Sequence, residues 1–384
     1  MSERDKTRQA MQRVLGGGRT DPATRITRRT FLHRCLLGGT ALGAAGMLPV
    51  INTLDVAHAA SHQGGGTMAD AKFRFAWISD THLYPKDVNQ RFVDKTIRAV
   101  EDVKAMDPAP DFVIFGGDLA QLGDPVELRL GKEILDELDI KKVFIPGEHD
   151  WYLDMGKTWN KLFGESPWHF EHKGVQFIGL DTVSHAIDYW TATNMSAEER
   201  MAHMAALDSS VVGAWAAVGD KQLQWLEKTL ADLPKDAPIV LFTHNPLYEY
   251  YPQWNFWVRD WREVHEVLKP YTNLTNLHGH THQPLYNEIG KMRSIGMLAT
   301  AWPWPYAPEG VPQMTQPMIR PDPGNHFDGV GWDSLQVAQD GAVHNEYRMW
   351  PREKVLAEHE VDSGTGDNDT QELRPRVADR MWPY

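Results

Sequence analysis

Five short polar clusters along the 384-residue chain carry residue types able to hold metal ions. They are Asp80-Thr81-His82, Gly117-Asp118, Gly147-Glu148-His149-Asp150, Thr243-His244-Asn245-Pro246 and Gly279-His280-Thr281-His282. Together they offer five imidazoles, three aspartates and a glutamate, and no thiolate, since the chain has a single cysteine, Cys35. Nitrogen and oxygen donors of this kind suit Zn, Fe or Mn. One catalytic ion takes about three protein ligands. A set this large therefore fits two ions about 3.5–4 Å apart that share a carboxylate, as in two-metal phosphoester hydrolysis. Each cluster alone is compatible with an ordinary turn. All five in order, each just past an apolar run, are hard to produce by packing requirements.

The elements that must position these clusters are legible as hydrophobic runs. Segments 73–78, 112–115, 143–145, 175–180, 239–242 and 274–277 read as strands, and 90–106, 126–138 and 221–233 read as helices, the second with Pro125 at its start. Strand, loop and helix alternating at this interval predict a layered α/β domain over 72–350. Ligands placed just beyond the C-terminal ends of successive strands converge where open α/β sheets bind their ligands. Gly116, Gly117, Gly147 and Gly279 let the backbone turn sharply there. Two stretches interrupt the pattern: an Ala/Met-rich insertion at 181–220 and a Pro/Trp-rich loop at 302–328. Irregular stretches of that length suit lids or binding loops. Segment 60–71 reads as a Gly-rich linker and 354–384 as a polar tail.

The order of clusters resembles the calcineurin-like metallophosphoesterase family, whose pattern runs D-x-H, G-D, G-N-H-(D/E), H and G-H-x-H. The match spans roughly Lys72 to Glu346 and fails at one position. The resemblance implies two mixed β-sheets packed as a sandwich flanked by helices, with a dinuclear centre at the rim. By the same match, Asp80, His82 and His282 hold one metal, Asp118 bridges, and His244, His280 and the residue at 148 hold the second. His149 is then the general acid, with Asp150 holding its ring. The resemblance thus implies hydrolysis of a phosphomonoester or phosphodiester by attack of a metal-bridged hydroxide, with His149 protonating the leaving oxygen. The departure is Glu148, where the family has Asn. A carboxylate there tightens cation binding, damps the Lewis acidity of the second metal and repels an anionic substrate. Three roles are open to it: a working ligand with altered metal or substrate preference, a side chain that swings out and leaves water as ligand, or the mark of a site that binds metal without turnover. The last would make the chain a non-catalytic metal- or partner-binding protein.

Charge divides the chain in two. Residues 1–59 carry nine Lys or Arg and four Asp or Glu, a net of +5, whereas the whole chain stands at −13. The acidic body argues against a nucleic-acid platform. Within the head, Arg28-Arg29-Thr30-Phe31-Leu32 resembles the twin-arginine consensus. An uncharged Gly/Ala-rich run at 35–54 follows, ending near Ala57-His58-Ala59, a small-x-small cleavage site. Its glycines and Pro49 make a poor membrane helix, and His33 and Arg34 spoil a lipoprotein box at Cys35. The head therefore predicts engagement of the twin-arginine machinery, export in the folded state, and a periplasmic or secreted protein.

Aromatic residues leave the ligand loops directly. Tyr248 and Trp254 follow His244, and Trp302 and Trp304 follow His282. They are candidates for an aromatic wall around the leaving group of a small-molecule phosphoester; the alternative is that they cover a sheet edge.

Overall fold

The computed structural model describes residues 71–151, 153–185, 215–250, 256–301, 303 and 329–350. The head 1–59, most of the linker, the body of the insertion, nearly all of 302–328 and the tail 354–384 lie outside the described residues.

Alternation of large apolar residues builds two facing sheets. In β1 (Phe73–Ile78), Phe73, Phe75 and Trp77 point the same way and are buried. The first sheet adds β2 (Phe112–Phe115), β3 (Lys141–Phe144), β10 (Gly331–Val337) and β11 (Val343–Met349), in the order β11-β10-β1-β2-β3. The second contains β4 (Trp168–His172), β5 (Val175–Gly179), β6 (Pro238–Thr243), β7 (Asn273–His278), β8 (Leu285–Ile289) and β9 (Met292–Gly296), in the order β4-β5-β6-β7-β9-β8. Both are mixed. β1, β2 and β3 run parallel, as do β5, β6, β7 and β9, whereas β10, β11, β4 and β8 pair antiparallel. Between them lies an aromatic core. Phe75 meets Phe177 edge-on at 5.7 Å between ring centroids, and Trp77 stacks on Phe242 at 5.9 Å. Truncating one such ring to Ala costs about 3–5 kcal/mol.

Helices flank the sheets. In α1 (Gln90–Lys104) the buried residues Val93, Thr96, Val100 and Val103 recur at helical spacing on one face. Helix α2 (Pro125–Asp136) starts with a capping box: the Asp124 side chain accepts from Val126 N at 2.7 Å, and Glu127 accepts from Asp124 N at 3.4 Å. Short helices α3 (Glu148–Trp151) and α4 (Lys157–Phe163) follow β3, α5 (Asp220–Leu230) precedes β6, and α6 (Trp261–Leu268) precedes β7. No helix among the described residues is long and apolar enough to cross a membrane.

The strand series is longer than the apolar runs suggest, because β4 and β8–β11 are not apolar runs. β10 is buried throughout yet carries Asp333, Ser334 and Gln336, and β11 is a polar edge strand. The insertion is tied at both ends. Ala217 N donates to Thr182 O at 2.9 Å, and Ala216 bridges to Val258.

Asp333 is wholly buried, and burial pushes its carboxyl up to about 8. Leu298 N donates to its Oδ2 at 3.0 Å, and Asn345 Nδ2 to its Oδ1 at 3.0 Å. Asn345 Oδ1 is buried without a hydrogen-bond partner. A half-turn of that amide presents the oxygen to a protonated Asp333. The folded form keeps this proton while the unfolded chain releases it near pH ~4, so stability falls as pH rises between those values. Asp333→Asn, paired with the turned amide, keeps both hydrogen bonds and removes the titration. Calorimetry from about pH 5 to about pH 8 should show a declining midpoint for the natural protein and a flatter profile for the variant, which becomes the more stable at the alkaline end.

Candidate metal centre

The loops leaving β1, β2, β3, β6 and β7 carry the five polar clusters, and the parallel strands within each sheet deliver them at C-terminal ends. The backbone at these loops is unusual. Asp80, His82, Asp118, His280 and His282 all have positive φ, between 45° and 63°. Among the described residues only Met155 and Lys173 are the other non-glycines with this sign. Left-handed conformations cost about 1–3 kcal/mol each and persist where surrounding structure enforces them. Here the enforcement is visible: His82 N donates to Asp118 O and Asp80 N to Gly117 O, both at 2.9 Å, while Ala301 N donates to Asp80 O at 3.0 Å. Gly117, at φ 102°, passes so close to His244 that a Cβ would sit 2.5 Å from Nδ1.

The seven sequence-predicted ligands come together in two buried groups, Asp80, His82 and His282, and Asp118, Glu148, His244 and His280. Within each, donor atoms lie within 4.8 Å of one another. His82 Nε2 is 3.1 Å from His282 Nε2, which is 3.2 Å from Asp80 Oδ1. His244 Nε2 is 3.2 Å from Asp118 Oδ2 and 3.1 Å from Glu148 Oε2, and His280 Nδ1 is 2.9 Å from Glu148 Oε1. Asp118 links the groups, because the same Oδ2 lies 3.7 Å from His82 Nε2 while Oδ1 accepts from His149 N at 3.0 Å.

These residues fit metal ions. Glu148 Oε2, His244 Nε2 and His280 Nε2 are buried without a hydrogen-bond partner, although donors and acceptors crowd one another at about 3 Å. Atoms that converge without hydrogen-bond alignment are what a cation between them organises. The tautomers agree. His82 Nδ1 donates to Gln121 Oε1 at 2.9 Å and His244 Nδ1 to Gly116 O at 2.8 Å, so in the neutral rings that bind metal each Nε2 turns its lone pair inward. Burial disfavours the charge on Glu148, but His280 and His244 outweigh it and hold the carboxyl well below its usual range. Burial likewise opposes charge on His244, and Asp118 and Glu148 more than reverse it. His82 is held well below its usual value by burial and by the neighbouring His149 and His282.

His149 stands beside the cluster, its ring 4.6 Å from that of His82. Asp150 does not hold that ring. Its oxygens accept from Ala120 N at 2.9 Å and Gly147 N at 3.1 Å, and the ring Nδ1 of His149 instead lies 2.7 Å from Gln121 O. His149 and Asp150 are successive residues of α3, so their side chains leave the helix about 100° apart, and Asp150 braces the loops after β2 and β3. Tyr248 is not at the cluster either: it is buried with Tyr250, Phe256 and Leu285, its hydroxyl 3.3 Å from His278 Nε2. Trp254, Trp302 and Trp304 lie outside the described residues. Among the described residues, Phe256 and Trp215 reach the ligands, with ring centroids 4.7 Å and 6.0 Å from His280. Gln121 is the main residue that pattern reading misses. Its only sequence signal is a place three residues after Asp118, within the same loop.

Two mixed sheets with a buried His/Asp/Glu cluster at their strand ends define the metallophosphoesterase fold. The chain belongs to the calcineurin-like phosphoesterase family, whose model matches residues 73–284. It is 28% identical over 174 residues to a probable glycerophosphodiester phosphodiesterase, GpdQ, of Arcobacter nitrofigilis, covering 44% of this chain and 55% of that protein. It is 26% identical over 288 residues to the 3',5'-cyclic adenosine monophosphate phosphodiesterase CpdA of Escherichia coli K12, covering 72% and 90%. The chain thus spans about half the length of the GpdQ relatives it matches. Among solved structures, a dimetal phosphatase from Danio rerio superposes with a TM-score of 0.51 at 14% identity, covering 72% of this chain and 99% of that one.

Gln121 touches both kinds of histidine, the side chain on His82 and the backbone carbonyl on His149. Gln121→Leu removes the acceptor that orients His82 while leaving the carbonyl. Metal affinity measured by chelator competition should fall about 10–100-fold, and Gln121→Glu, which keeps an acceptor, should retain most of it.

Proposed function

We propose that the protein is an exported, metal-dependent phosphoester hydrolase with a dinuclear centre. The observation that carries this reading is Asp118, whose single Oδ2 faces a histidine of each ligand group. Asp80, His82 and His282 would hold one ion, His244, His280 and Glu148 the other, with Asp118 common to both. Paired divalent cations supply hydroxide near neutral pH and neutralise developing charge on phosphoryl oxygens. The metal identity fits Zn, Fe or Mn on the chemistry of the donors.

The chain's own residues supply orientation and a proton. With the His149 Nδ1–H directed at the Gln121 carbonyl, Nε2 is the ring atom that delivers a proton to the leaving oxygen. Trp215 and Phe256, both nearly fully buried, keep water from the His280 side and strengthen the field around the second ligand group. The substrate is a small phosphoester; the phosphodiesterase names of the relatives favour a diester.

Export rests on the head. Arg28-Arg29 with Phe31-Leu32, the uncharged run behind them and the small-x-small site support passage of a folded, metal-loaded protein through the twin-arginine machinery to the periplasm or beyond.

Metal analysis should find two ions per chain, and the purified protein should hydrolyse a chromogenic diester. His149→Ala should keep both ions and lower kcat about 10²–10⁴-fold for an alkyl leaving group, and much less for nitrophenolate, which needs no proton. Bound metal without turnover of any phosphoester would instead establish a binding protein on this fold. Changing Arg28 and Arg29 together to Lys should leave the full-length precursor in the cytoplasmic fraction; a mature-length periplasmic product would overturn the export reading.

A further inference from the structure

The three carboxylates that face the cluster are not equally dissipated by hydrogen bonds. Asp80 Oδ1 accepts from His280 N at 3.1 Å, and its Oδ2 accepts from the Ser79 hydroxyl. Asp118 Oδ1 accepts from His149 N at 3.0 Å. Glu148 is different: both oxygens point at imidazoles, Oε1 toward His280 and Oε2 toward His244, and Oε2 has no hydrogen-bond partner. The side chain is 4% exposed, so water does not screen it. Among the described residues, every ion-pair partner of Asp80, Asp118 and Glu148 is a histidine. The one buried lysine among the described residues, Lys95, donates to the Ala301 carbonyl, and the oxygens of Asp150 accept from the backbone amides of Ala120 and Gly147. Among the described residues, the carboxylates whose oxygens face the ligand nitrogens are therefore these three.

The geometry points to Glu148 as the residue that selects singly charged phosphodiesters over doubly charged phosphomonoesters. The inference rests on the dinuclear reading above. Two divalent ions against three carboxylates and one hydroxide leave a net charge of about zero, with histidines bound as neutral ligands. A phosphodiester monoanion then leaves about one excess negative charge and a monoester dianion about two, in both cases beside the buried Glu148 carboxylate. Without the Glu148 charge the balance rises by about one, which favours the dianion more than the monoanion. Discrimination of this kind comes from repulsion of the wrong ligand as much as from attraction of the right one. It acts most strongly in a buried site, where the effective dielectric constant is low.

The test uses the metal-loaded protein and its Glu148→Gln, Glu148→Asn and Glu148→Asp variants. Three quantities are read: ions per chain, calorimetric affinity for inorganic phosphate against dimethyl phosphate, and the ratio of kcat/KM for bis(4-nitrophenyl) phosphate to that for 4-nitrophenyl phosphate. The neutral variants should bind inorganic phosphate about tenfold or more tightly relative to dimethyl phosphate, and their diester-to-monoester ratio should fall by a similar factor. Glu148→Asp, which keeps the charge, should hold both ratios close to the natural ones. Unmoved ratios in neutral variants that keep two ions would overturn the assignment. Loss of an ion from both neutral variants would overturn it too, because the assignment requires that Gln or Asn at 148 hold the second cation through a neutral oxygen and change only the charge. A natural protein with no bound metal and no turnover would sink the dinuclear reading itself, a result distinct from an active enzyme whose ratios do not move.

Discussion

The sharing of one carboxylate between two sets of histidines is the constraint on which the rest of this molecule turns. Asp118 can reach both His82 and His244 only because its loop is left-handed, because Gly147 beside it has no Cβ to collide with the carboxylate, and because the His149 amide fixes its other oxygen. Move any of these and the two ligand groups separate. Left-handed φ at five ligand positions concentrates strain where donor atoms must converge. The aromatic core between the sheets is what withstands it.

That core also explains why the site lies where it does. Phe75, Trp77, Phe177 and Phe242 lock β1 face to face with β5 and β6, and the loops that leave β1 and β6 carry Asp80, His82 and His244. Packing energy is thus coupled to ligand geometry through very short segments of chain. Gln121 adds a finer link. By orienting one imidazole with its side chain and another with its carbonyl, it ties His82 of the first group to His149. The histidines and carboxylates compensate one another's burial, which is why a polar cluster this dense can sit inside the protein at all.

Much of this is legible in the amino-acid sequence. The strands that carry ligands contain short apolar runs, and β2 and β6 are the most legible because apolar residues buried on both faces fill them almost end to end. In β3 and β7 only part of the strand is apolar, since Lys141, Lys142, Asn273, Thr275 and Asn276 belong to them. The strands that were not legible, β4, β8, β10 and β11 among them, are polar edges or, in β10, a buried strand with Asp333, Ser334 and Gln336 inside it. Periodicity cannot reveal a strand whose polar side chains are satisfied by partners far away in sequence. The role given to Asp150 failed for a related reason. Adjacency in sequence suggested a partner for His149, but the turn of α3 sends the carboxylate toward the amides of Ala120 and Gly147. Tyr248, next to the ligand loop in sequence, folds under it to meet His278.

The sequence by itself determined the donor types, their order, and their placement just past strand ends, because ligand chemistry and strand periodicity are local properties. It also determined that position 148 is a carboxylate. Only the tertiary structure decided which donors share a group, that Asp118 faces both, that Gln121 orients two rings, and that one oxygen of Glu148 stays without a hydrogen bond. His82 and His282 stand 200 residues apart in the chain and 3.1 Å apart in space. No local rule fixes such a distance: it is set by how two sheets pack, and packing is a property of the whole chain.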